Sequence, residues 1–166
     1  DETHIPFKKE TLLNLGYDYV ALGHIHKPQV LVENKVIYAG ALEPTDKNDT
    51  GMHGYVRGEI TEQGVRAEFV PCAKRQYIHT VVPVEEGMTG GALKQWIRAY
   101  VEEHGIEHMY KFILRGFRDT DIQFDLEHLK SFGNVFEIVD ETNPAYDFEK
   151  LLQANPNNLL GRYIGS

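Results

Sequence analysis

Apolar and polar residues alternate along this chain in two regimes. Up to about residue 72 the pattern is mostly strand-like, and beyond it strands and helices take turns. Pro6 to Leu15 predicts a short helix with Phe7, Thr11, Leu12 and Leu15 as its apolar stripe, and Gly16 stops it. Tyr17 to Leu22 is a short apolar run, which predicts a buried strand. Residues 29–32 and 36–39 flank Glu33-Asn34-Lys35 as a hairpin, with Asn34 able to take a left-handed conformation. Gly40 to Met52 is a long polar loop, a length that often carries function. Tyr55–Thr61 and Val65–Val70 form a second hairpin through Gln63-Gly64.

Pro71 to Arg75 marks a composition change, so the chain divides into residues 1–73 and 74–166. In the second part Tyr77–Val84 predicts a strand with Ile78, Thr80, Val82 and Val84 on one face. Gly90 to His104 is the clearest helix. Leu93, Trp96, Ile97, Tyr100 and Val101 fall at i, i+3, i+4, i+7 and i+8, a continuous stripe, with Thr89 as N-cap and Gly105 as terminator. Met109–Phe117 and Val135–Val139 predict two more strands. A helix capped by Asp121 or Asp125 lies between them. Pro144 opens a short acidic segment, 146–154, and a turn of helix is expected after Pro156. The fold class is α/β in the α+β sense: a β-rich layer followed by a small β-α-β-α-β domain.

Composition adds limits rather than identity. The chain has 166 residues and a formal charge of −8, which argues against a broadly nucleic-acid-binding surface. Cys72 is the sole cysteine, which excludes an internal disulfide and suggests a buried or half-buried thiol. No apolar run approaches the roughly 20 residues of a membrane span, and no signal-peptide pattern opens the sequence. The default expectation is a soluble, cytoplasmic protein with no membrane partner.

The candidate chemistry sits where the first predicted strand runs into Gly23-His24-Ile25-His26. His-x-His by itself fits two readings, unrelated surface histidines or paired metal ligands, neutral imidazole being a common metal ligand. The strand, Gly23 as the expected turn residue, and Lys27-Pro28-Gln29 favour the second. So does the later text Val36-Ile37-Tyr38-Ala39-Gly40-Ala41-Leu42-Glu43-Pro44 with Asp49-Thr50-Gly51-Met52-His53-Gly54-Tyr55. Residues 4–72 resemble the last metal motif of the calcineurin-like metallophosphoesterases, and within them the SbcD/Mre11 DNA-repair exonuclease type.

The resemblance implies a metal-dependent phosphodiesterase with two divalent ions, usually manganese, acting on DNA. It assigns His24 to one ion and His26 to the other. It places the loop 40–52 near the metal mouth and makes residues 74–166 a cap domain. It also implies a coiled-coil, SMC-like ATPase as partner. The Asp-x-His, Gly-Asp, Gly-Asn-His and lone-histidine motifs of that family are not found here; His4 stands in the wrong context to serve as the last of these. Two histidines cannot hold a dinuclear cluster. The chain therefore reads as the C-terminal portion of a longer enzyme, inactive alone, and self-associating or bound to its other half.

His53 is either a contact to substrate phosphate or a loop residue. Lys74-Arg75 and Arg115 with Arg118 are basic spots that either touch a DNA backbone or are ordinary solvated charge. Two alternative functions stay open: a non-catalytic DNA- or partner-binding module, and a phosphoesterase of another substrate.

Overall fold

The computed structural model describes residues 7–146 and Gln153. The described residues form a mixed α/β protein of eight strands and three helices. The acidic segment beyond Tyr146 and the turn of helix expected after Pro156 lie outside the described residues, apart from Gln153. The chain divides into two compact units, residues 7–78 with Glu107–Met109, and residues 79–106 with 110–146. The division falls inside a strand rather than at the composition change near residue 73. Among the described residues, no helix is long and apolar enough to cross a membrane.

The first unit begins with α1 (Lys9–Leu13), which is shorter than its pattern and buries no residue fully. Its expected stripe does not hold: Phe7, Thr11 and Leu15 are exposed, and only Leu12 and Leu13 are half-covered. A three-stranded sheet follows, ordered β1 (Val20–Leu22), β3 (Val36–Tyr38), β2 (Gln29–Val32). β1 runs parallel to β3 and β2 antiparallel to it.

The expectation of a buried strand at 17–22 is corrected here. Pairing covers only 20–22, Tyr17 and Ala21 are exposed, and Tyr19, Val20 and Leu22 are half-buried. The physical reason is position, since β1 is an edge strand with a neighbour on one side only. β3 is the central strand, and Val36, Ile37 and Tyr38 are all buried. Asn34 takes the expected left-handed turn (φ 55°), and its side-chain oxygen accepts the Ala67 amide at 2.8 Å. That bond ties this sheet to the hairpin of β4 (Gly54–Thr61) and β5 (Gly64–Pro71), which pairs without a break from Gly54↔Pro71 to Thr61↔Gly64. Cys72, expected to be at least half-buried, is exposed.

The second unit is a sheet ordered β6 (Tyr77–Val84), β7 (Met109–Asp119), β8 (Val135–Ala145), with β7 and β8 parallel. Its core is the face of Val82 and Val84 with Tyr110, Phe112 and Leu114, covered by α2 (Gly90–His104) through Leu93, Ile97 and Val101. Thr89 caps α2 by accepting the Ala92 amide, and the Gly105 amide closes it onto Val101. Trp96 and Tyr100 flank the stripe and are half-buried, edge-on to Phe112. α3 (Leu126–Leu129) is a single turn capped by Asp125, and its Leu129 is buried. β8 continues through Pro144, where a separate segment was expected; as an edge strand it tolerates a residue with no N–H.

Candidate metal-binding loop

β1 leads into Gly23 and the two histidines, so a strand anchored on β3 delivers both imidazoles to one loop. The left-handed residue of that loop is His24 (φ 78°), not Gly23. A non-glycine residue in this region is uncommon and marks a backbone held by its surroundings. The holding contacts are visible at His26. Its carbonyl accepts the Ala41 amide at 2.9 Å. Gly40, at φ 79°, packs so closely that a β-carbon there would stand 2.5 Å from the same oxygen. Only glycine fits this approach.

The loop after β3 then reaches the His26 ring. Nδ1 of His26 lies 2.9 Å from the Asp49 carboxylate and 3.0 Å from the Thr45 hydroxyl. The same carboxylate oxygen accepts the Thr45 amide at 3.0 Å, the Thr45 hydroxyl at 2.9 Å and the Asp46 amide at 3.2 Å. Partial burial pushes the Asp49 carboxyl up, but the Thr45 amide, His26, the Thr45 hydroxyl and the Asp46 amide together outweigh it and hold it at about 2. The His26 side chain is half exposed, so its edge away from Asp49 faces outward.

His53 is buried, in contrast to both loop histidines. Its Nδ1 lies 3.2 Å from the Ala41 carbonyl and its Nε2 3.1 Å from the Asp49 carbonyl. Its own carbonyl accepts the Cys72 and Ala73 amides. The alternative of a phosphate contact finds no outward-facing nitrogen in this geometry; the ring joins the two ends of the loop 41–49. Arg115 pairs with Glu141 at 2.7 Å, and Arg118 reaches Thr142 and the Ile122 carbonyl, so both arginines hold β8 and Arg118 also holds the turn after β7.

His24 and His26 thus fit a share of a metal site and not a whole one. Among the described residues, no three histidine, cysteine, aspartate or glutamate side chains converge as a metal site. A dinuclear cluster takes more ligands than two imidazoles provide. The sequence singled out His24, His26 and His53, but gave no role to Thr45 or Asp49. Asp49 stood only as the acidic residue of the resembling run Asp49-Thr50-Gly51, and Thr45 only as one polar residue of a long loop.

No family model matches the chain. It is similar to the uncharacterized metallophosphoesterase YhaO of Bacillus subtilis, at 34% identity over 98 residues. The match takes in 58% of this chain and 24% of that protein, so the chain spans about a quarter of the relative's length.

Proposed function

We propose that this chain is part of a metal-dependent phosphodiesterase of the SbcD type, acting on DNA. One observation carries the reading: a strand anchored in a sheet runs into Gly23-His24-Ile25-His26, and a second loop clamps His26 by backbone and ring. The similarity to a metallophosphoesterase supports the general chemistry, a metal-dependent hydrolysis of phosphoesters. DNA as substrate and manganese as metal rest on the sequence resemblance.

In this reading His24 and His26 each give one imidazole nitrogen to one of two divalent ions. When bound, such ions supply Lewis acidity to the attacking and leaving oxygens of an in-line displacement. The chain's own part is positional. β1 and β3 fix the loop, and the Ala41 amide fixes the His26 backbone. The exposed side chains of Tyr17 and Val30 offer apolar surface against which the rest of such a layer would pack. Residues 74–166 act as the cap, and a coiled-coil ATPase is the partner the resemblance implies.

The test uses the full-length parent protein. Manganese-dependent cleavage of linear DNA and of a small chromogenic phosphodiester is measured before and after His26→Ala. Loss of both activities is expected. Unchanged cleavage of both would overturn the reading, and loss of the small-substrate activity with no DNA cleavage in either protein would keep the phosphodiesterase and remove DNA.

A further inference from the structure

We propose that Asp49 is a positioning residue for His26: its carboxylate fixes the imidazole in the tautomer protonated at Nδ1, which turns the Nε2 lone pair outward. The inference rests on the reading of His26 as a metal ligand for its purpose, but not for its geometry.

The proton can be placed from the neighbours of Nδ1. At neutral pH the Asp49 carboxylate only accepts hydrogen bonds. The Thr45 hydroxyl has a single proton, and it donates that proton to Asp49 at 2.9 Å. Its oxygen therefore faces His26 as an acceptor, at 3.0 Å. Nδ1 meets two acceptors and must carry the hydrogen. A neutral ring protonated at Nδ1 holds its lone pair on Nε2, the form a divalent ion needs. Free histidine in water prefers the opposite tautomer, so the arrangement selects the minor form. A carboxylate behind an imidazole also raises the basicity of its outer nitrogen.

The carboxylate is itself held. Two backbone amides and one hydroxyl converge on the oxygen that faces His26. His53 closes a circuit of contacts around it: His26 carbonyl to Ala41 amide, Ala41 carbonyl to His53 Nδ1, His53 Nε2 to Asp49 carbonyl, Asp49 carboxylate to His26 Nδ1. The loop that orients the ligand's ring is thus the one that pins its backbone.

The first measurement needs no metal and no activity. Long-range 1H–15N spectra of the histidine rings in this chain, at about pH 8, are expected to show His26 protonated at Nδ1 with a pyridine-like Nε2. Asp49→Ala should move the ring towards the Nε2-protonated form, and Asp49→Asn, which keeps an acceptor, should move it less. A wild-type His26 protonated at Nε2 overturns the proposal without any variant, which guards against a variant that fails to fold. A tautomer unchanged in Asp49→Ala overturns it as well.

The second measurement is manganese affinity of the full-length parent by calorimetry, where Asp49→Ala is expected to weaken binding 10- to 100-fold. Unchanged affinity in Asp49→Ala, with affinity lost in His26→Ala, would overturn the positioning role alone. Unchanged affinity in both, with the Nδ1 tautomer present, would sink the ligand reading and leave the dyad standing.

Discussion

Gly116 of β7 passes the carbonyl of Val84 at the end of β6 so closely that a β-carbon on it would lie 2.0 Å from that oxygen. Its φ of +127° is a conformation that side-chain-bearing residues rarely adopt. Both faults meet in backbone, which cannot swing aside as a side chain can. Gly116→Ala is therefore expected to destabilise the second unit by about 2 kcal/mol or more. Gly91, in the first turn of α2, is different: a β-carbon there would meet only the Thr89 hydroxyl, at 3.8 Å. Gly91→Ala is expected to stabilise, by up to about 1 kcal/mol, because alanine loses less freedom in a helix. Urea melts of the two variants followed by Trp96 emission should move in opposite directions.

Leu93 and Ile97 are fully buried against the sheet. Truncating either leaves a cavity the surrounding strands cannot fill. Leu93→Ala should cost about 2–5 kcal/mol, and Thr89→Ala, which removes only the cap, about 1 kcal/mol. Both should lower the urea midpoint with little change in slope. Trp96 is half-buried between Tyr100 and Phe112, so its emission should be only moderately blue-shifted in the native state and move red on unfolding.

These expectations show which parts of the fold were readable. α2 declared itself because Leu93, Ile97 and Val101 repeat at helical spacing between a threonine cap and a glycine stop. The buried face of β7 was equally plain from Tyr110, Phe112 and Leu114. The run 17–22 misled because apolar composition does not distinguish an edge strand from a central one; the burial fell to Val36, Ile37 and Tyr38 instead. Pro144 looked like the opening of a new segment, since the pattern does not reveal which strand lies at a sheet edge. At the site, His24 and His26 were legible through local spacing and their strand. Asp49 was not, because its contact with His26 spans 23 residues and depends on how a long loop closes. His53 looked available in the sequence for the same reason, as nothing local shows that its ring is buried.

Tyr19 offers a handle on the first unit. It is half-buried and lines a 140 Å³ cleft with Val56, Ile60, Val65 and Ala67 of the β4–β5 hairpin. Burial raises its phenol above the ordinary value of 10.0. The folded state then keeps a proton that the unfolded chain has lost, so stability falls as pH rises from that value through the folded one. Tyr19→Phe should remove this part of the alkaline loss. The check is the urea midpoint of both proteins at about pH 9 and pH 11, with a smaller drop expected for the variant. An identical drop would show that the phenol is as solvated folded as unfolded.

His53→Ala tests the loop circuit from its buried corner. The ring is 1% exposed and meets two backbone carbonyls, those of Ala41 and Asp49. Removing it leaves a void and takes the ring's one N–H from a half-buried carbonyl, each effect worth about 1–3 kcal/mol. The loss should be local before it is global, because loops open at lower free energy than the strands they join. Amide exchange resolves the two. The Ala41 N–H, bonded to the His26 carbonyl, and the Thr45 N–H, bonded to Asp49, should lose protection in the variant. The amides of β3 should lose less, and those of β7 in the other unit should hardly change. Long-range 1H–15N spectra of the same variant report His26, whose ring should lose its Nδ1 preference once the Asp49 loop is loose. Intact protection at Ala41 and Thr45 would mean that the loop closes without His53, and that Gly40 and the Thr45–Asp49 turn suffice.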